Sequence, residues 1–168
     1  DPTYGILSDY EGRRAPAEQS GCHVYRIDPE TSDITQMTRD FMQPNGLAFN
    51  PDETALFISD TGASHAENGP KHIRKFNLGE KGQTLSESTV FAECSAGLFD
   101  GFRFDDAGRL WSSAADGVHC YDADGTLIGK ILIPEMVANL CFGGATRNRL
   151  FIAGTTSLYA AYLNVNGA

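Results

Sequence analysis

A strand–turn–strand phrase returns three times along this chain, and few folds can house it. Gly46-Leu47-Ala48-Phe49 leads into the turn Asn50-Pro51-Asp52-Glu53 and then into Ala55-Leu56-Phe57-Ile58-Ser59. Gly101-Phe102-Arg103-Phe104 leads into Asp105-Asp106-Ala107-Gly108 and Arg109-Leu110-Trp111-Ser112-Ser113. Asn139-Leu140-Cys141-Phe142 leads into a Gly-rich turn and Asn148-Arg149-Leu150-Phe151-Ile152. Aligned on Phe49, Phe104 and Phe142, the three units are offset by 55 and 38 residues. A third apolar run follows each pair, at 72–76, 117–121 and 157–162, and a fourth follows in two units, at 88–91 and 126–131. A partial unit precedes them, at 23–27 and 34–37. No stretch of eleven or more residues keeps the helical apolar spacing, so the chain is predicted to be all-β.

Units of roughly 40 to 50 residues with four strands each mark the blades of a β-propeller. A β-sandwich also has short strands, but gives no reason for the same phrase to return in order. Three units and a fraction cannot close a ring of about four to eight blades. An open ring leaves an apolar blade face and unpaired strand edges exposed. Residues 1–168 are therefore expected to form one partial propeller domain. A missing N-terminal half or a second copy would complete it. The Gly5–Gly21 stretch, without periodicity, reads as an irregular excursion from a blade.

Charge and motif content exclude several classes of function. Thirteen Lys and Arg against twenty-two Asp and Glu leave a net −9, which opposes nucleic-acid and anionic-membrane partners. No apolar run reaches the ~20 residues of a membrane-spanning helix. The chain opens Asp1-Pro2 without Met and without a cleavable leader, as a truncated or processed chain would. The compartment expected is the cytoplasm, with the periplasm as alternative. Cys22, Cys94, Cys120 and Cys141 form no Cys-x-x-Cys pair and are expected to be buried free thiols. The four histidines are scattered, and no nucleophile elbow, dinucleotide fingerprint or P-loop is present.

Chemistry is best sought where innermost strands begin, because in a propeller those points converge on the central channel. Asn45, in Gln43-Pro44-Asn45-Gly46, and Asp100, in Leu98-Phe99-Asp100-Gly101, stand there in two units. In the third unit Ala138 takes that place, with Asn139 one residue on. An amide carbonyl and a carboxylate are hard oxygen ligands suited to calcium or magnesium. Asn-Gly and Asp-Gly are also ordinary turn dipeptides, and spacing alone leaves both readings open.

These same residues carry a family resemblance. Pro44-Asn45-Gly46-Leu47-Ala48-Phe49-Asn50-Pro51-Asp52-Glu53 with Leu56-Phe57-Ile58-Ser59-Asp60-Thr61 resembles a signature of the gluconolactonase, or senescence-marker-protein-30 (regucalcin), family. So do Phe99-Asp100-Gly101-Phe102, Gly108-Arg109-Leu110-Trp111, Asp122-Ala123-Asp124-Gly125 and Asn139-Leu140-Cys141-Phe142-Gly143-Gly144. The resemblance covers the chain and implies a six-bladed propeller, of which this is roughly the C-terminal half, or about three and a half blades.

It also implies an activity, the metal-dependent hydrolysis of sugar lactones, with one divalent cation in the channel. Calcium is the first choice; zinc, magnesium and manganese are the others. The family's Asn and Asp ligands match Asn45 and Asp100, while its Glu ligand falls outside this chain. Glu18 is similar to a Glu that the family turns toward the sugar. Asp100 is then ligand and general base, or else nucleophile. An esterase or phosphotriesterase-like propeller and a non-catalytic calcium-binding or interaction propeller are the rival readings. This chain alone is expected to be inactive.

Overall fold

Local turn chemistry sets the frame of the structure, a computed structural model that describes residues 1–168 apart from the Glu80 side chain. In the second unit the fully buried Asp105 carboxylate accepts hydrogen bonds from the backbone N–H of Ala107 (3.0 Å) and Arg109 (2.9 Å). Its second oxygen accepts from Arg109 Nε and Trp111 Nε1, both at 2.8 Å. In the first unit Asn50 does the same work, its Oδ1 accepting from Ala55 N at 2.8 Å. A side chain that caps its own turn fixes the hairpin register, and with it which face of each strand is buried.

The resulting strands pair with their sequence neighbours, all antiparallel, in four sheets. The first holds β1 (Cys22–Ile27) and β2 (Ile34–Phe41). The second holds β3 (Pro44–Phe49), β4 (Ala55–Asp60), β5 (His72–Asn77) and β6 (Thr89–Glu93). The third holds β7 (Phe102–Phe104), β8 (Leu110–Ala114), β9 (Gly117–Tyr121) and β10 (Leu127–Leu132). The fourth holds β11 (Val137–Gly143), β12 (Arg149–Gly154) and β13 (Leu158–Tyr162). Every strand read from the sequence is present. The excursion contains a single helical turn, α1 (Tyr4–Leu7). No helix among the described residues is long and apolar enough to cross a membrane.

The core lies between successive sheets. Val24 and Phe41 of the first sheet pack on Leu56, Ile58 and Phe76 of the second. Phe57 and Ile73 pack on Phe99, Phe102, Phe104, Leu110 and Tyr121 toward the third. Val118 packs on Val137, Leu140, Leu150 and Ile152 of the fourth, with Trp111 half-buried against them. Strands β4 and β9, sandwiched on both faces, are buried along their whole length. The stack is uncovered at its two ends. Leu47 and Phe49 of β3 are about half exposed and border an apolar cleft of about 810 Å³ that Val24, Tyr25 and Leu85 also line. At the other end, Leu158 and Tyr162 of β13 are exposed.

Residues 166–168 close the base of the third and fourth sheets. Asp106 N donates to Asn166 O, Gly167 N to Arg147 O and Ala168 N to Phe104 O, at 2.8, 2.8 and 3.2 Å. Three cysteines, Cys22, Cys94 and Cys120, are buried free thiols as expected, but Cys141 is exposed. The reason is its strand face. With Ala48 and Arg103 it borders the cleft between the inner strands, rather than a sheet-to-sheet interface.

Candidate metal and catalytic site

Irregular strand starts position the candidate residues. The β3–β4 register pairs Pro44 with Asp60 and Leu47 with Ile58, so Asn45 and Gly46 together oppose Ser59 alone. The β11–β12 register slips in the same way at Ala138. A bulge of this kind turns a side chain out of the ladder, as it does beside many active sites.

These starts also touch one another across sheets. A Cβ on Gly46 would lie 2.0 Å from the Asp100 carbonyl oxygen, so only glycine allows this approach. The Ser59 hydroxyl is placed to donate to Gly46 O (3.3 Å) or Asp100 O (3.4 Å). The contact repeats one sheet along, where Gly101 N donates to Ala138 O at 2.9 Å and the Asn139 side chain lies on the Gly101 Cα. The structure thus brings the backbones at Asn45 and Asp100 together, 55 residues apart in the chain.

Each side chain is left with free oxygen. Asn45 is half-buried, and its Nδ2 donates to Thr61 Oγ1 at 3.5 Å, which leaves Oδ1 without a partner among the described residues. Asp100 N donates to Ser113 Oγ at 3.0 Å, but no donor among the described residues reaches its half-buried carboxylate. Burial first, and then the negative charge of Glu11, hold that carboxyl above the ordinary aspartate range. A half-buried carboxylate without a donor and an amide oxygen without a partner, on strand starts whose backbones touch, are donors of the kind a hard cation takes. The donor set is incomplete, since no three His, Cys, Asp or Glu side chains among the described residues gather around a metal position.

Glu18 is exposed in the irregular loop after α1, with no hydrogen bond or ion pair among the described residues. Glu11, from the same excursion, is the carboxylate whose charge Asp100 feels. Two further contributors were not singled out from the sequence. Buried Asp60 accepts from Gln43 N (2.9 Å), Met42 N (2.9 Å) and Gly62 N (3.1 Å), pinning the entry to β3. Buried Thr61 stands directly behind Asn45. The available signal was the polar run Ser59-Asp60-Thr61 at the end of an otherwise apolar strand.

The family model described as SMP-30/Gluconolactonase/LRE-like region matches residues 8–156. The chain belongs to this family. A gluconolactonase of Xanthomonas campestris superposes with a TM-score of 0.85 at 34% identity, over 100% of this chain and 52% of that one. The 6-deoxy-6-sulfogluconolactonase of Pseudomonas putida is 33% identical over 146 residues, 83% of this chain and 47% of that protein. Regucalcin of Agrobacterium tumefaciens strain C58, described as a calcium-binding protein, superposes with a TM-score of 0.71 at 20% identity, over 87% of this chain and 54% of that one. At that identity the likeness speaks to the propeller fold alone. This SMP-30/gluconolactonase-family chain spans between 35% and 51% of the length of the curated relatives it matches.

Proposed function

We propose that residues 1–168 supply a little over half of a six-bladed ring that hydrolyses sugar lactones around one divalent cation held by Asn45 and Asp100. The observation that carries this reading is the backbone contact between the two strand starts, which bear a partnerless amide oxygen and a donorless carboxylate. Family membership and gluconolactonase relatives support the substrate class.

Strand arithmetic supports the ring. Six four-stranded blades hold about twenty-four strands. The described residues contain thirteen, in sheets of two, four, four and three. Completing the outer sheets needs two strands inside β1 and one beyond β13. The apolar cleft by Leu47 and Phe49, and the exposed β13 edge, lie at those two places. Thirteen strands in about twenty-four is also close to the 52% and 54% that the chain covers of two solved relatives. The N-terminal half of a longer chain, or a second copy, is the partner that closes the ring. The net charge of −9 argues against nucleic acid or an anionic membrane as partner.

A hard divalent cation, when bound, polarises the lactone carbonyl and lowers the pKa of an attacking water. Calcium suits the all-oxygen pair best, with magnesium, manganese or zinc as alternatives. Asn45 contributes a neutral oxygen, which adds no negative charge to the site and so leaves more of the cation's charge to act on the oxyanion. Asp100 accepts a proton as the water attacks and returns it to the ring oxygen that leaves as an alcohol. Glu11 and Glu18, on the excursion, are the carboxylates available to sugar hydroxyls.

The test is proton release from gluconolactone by residues 1–168 alone and by the longer reading frame that carries them, with calcium and with chelator. Calcium-dependent turnover by the longer protein, absent from the short chain, is expected. Turnover that survives exhaustive chelation would exclude the metal reading. Calcium binding without turnover on any lactone or ester would make this a binding propeller.

A further inference from the structure

We infer that Thr61 is a positioning residue that fixes which end of the Asn45 amide faces the site; this rests on Asn45 as a cation ligand. An asparagine side chain offers an oxygen on one side and an NH₂ on the other, and only the oxygen can bind a cation. Something must therefore choose the flip.

Thr61 makes the choice through the single proton of its hydroxyl. The residue is 2% exposed, and its Oγ1 lies 2.5 Å from Tyr4 Oη, 3.2 Å from Gln43 O and 3.5 Å from Asn45 Nδ2. The hydroxyl has one hydrogen and two lone pairs. That hydrogen goes to the Gln43 carbonyl or to the Tyr4 oxygen, the two close acceptors. In either arrangement a lone pair is what Thr61 presents to Asn45. An amide turned the other way would set two acceptors face to face, so the NH₂ goes to Thr61 and Oδ1 turns to the site.

The surroundings hold Thr61 in place. Its own N–H donates to Gln43 O at 3.0 Å, and Ser64 Oγ donates to Thr61 O at 2.7 Å. Tyr4 Oη also lies 3.0 Å from Ser64 Oγ, so the first helical turn of the excursion is tied to the same cluster. A valine at 61 keeps shape and volume but removes the lone pairs. It orphans little, because Gln43 O retains the Thr61 N–H and Tyr4 retains Ser64.

The experiment compares Thr61→Val, Thr61→Ser, Asn45→Ala and the unaltered sequence, each carried in the longer protein that closes the ring, by three measurements. Thermal melting checks the fold, and all four proteins are expected to melt cooperatively. Proton–nitrogen correlation spectra, recorded without metal, follow the Asn45 side-chain NH₂, whose signals Asn45→Ala identifies by deleting them. Thr61→Val should shift those signals and speed their solvent exchange, while Thr61→Ser leaves them near their original place. Calorimetric titration with calcium alone should show binding weakened about 10- to 100-fold in Thr61→Val, the range for groups that orient a metal ligand. Thr61→Ser should restore it.

An Asn45 NH₂ signal indifferent to Thr61→Val overturns the inference, whatever calcium does. Calcium affinity unchanged by Asn45→Ala overturns instead the reading of Asn45 as ligand, and the two failures are told apart by the spectra.

Discussion

Replacing Gly46 with alanine tests whether the contact between strand starts holds the site together. The added Cβ would stand 2.0 Å from Asp100 O, 3.0 Å from Asp100 C and 3.2 Å from the Gly101 Cα. All three are backbone atoms, so no side chain can swing aside. Ordinary carbon contacts sit at about 3.5 to 4.0 Å, which requires β3 and the start of β7 to part by roughly 1.5 Å. Overpacking of this kind costs about 1–3 kcal/mol. At about 2–4 °C per kcal/mol for a chain of this size, the midpoint should fall by about 2–12 °C. The shift also separates Asn45 from Asp100, and calcium affinity should fall at least about tenfold, since ligand distances tolerate only a few tenths of an ångström. Gly129→Ala is the control, because its Cβ would meet nothing within 4 Å. Scanning calorimetry and calcium titration decide the matter. A Gly46→Ala chain that melts and binds calcium like the Gly129→Ala chain would refute the packing argument and the shared site with it.

Other outcomes follow from the same physics. In the presence of chelator, Asp100→Asn should raise the melting temperature at pH 7 while abolishing calcium binding. The raised carboxyl binds protons more tightly in the folded state, so its contribution to stability falls as pH climbs from the ordinary aspartate range through the raised value. Asp116 has the opposite sign. The hydrogen bond from Lys130, ahead of that with His119, holds its carboxyl below the ordinary range, so its stabilisation is present above that range and is lost as pH falls through the lowered value. Asp116→Ala should flatten acid unfolding curves there, and should cost about 1–3 kcal/mol by leaving the buried His119 Nε2 without its partner at 2.6 Å. Ile58→Ala, in a strand buried on both faces, should cost about 2–5 kcal/mol in denaturant unfolding.

The strands were legible because each is short, apolar and bounded by a turn residue whose chemistry is local. Asp105 caps its own hairpin from four residues away, and the three phenylalanines at 49, 104 and 142 mark equivalent ladder positions. Asn45 and Asp100 stood out because they precede those ladders. The excursion was not legible in the same way. What places its carboxylates is contact across some 40 to 57 residues, from Thr3 N to Gln43 Oε1 and from Tyr4 to Thr61, and no periodicity announces such links. Glu18 therefore drew attention while Glu11, the charge that Asp100 senses, did not. Cys141 was misjudged for a related reason: apolar composition identifies its strand but not which alternate face meets the inner cleft.

The three-residue clip at the base of the third and fourth sheets bears on how the fold is gained and lost. Each sheet is built from neighbouring hairpins and can form early, because its contacts are local. The clip joins Asn166 to Asp106 and Ala168 to Phe104 across about sixty residues, and loop closure over that span costs entropy before any reward. It can form only once both sheets present their turns. By the same reasoning it is the first contact to open, ahead of the core beneath it. Amide exchange at Gly167 and Ala168 should therefore be fast even while Ile58 and Val118 stay protected, making this clip the latch by which the last two sheets begin to come apart.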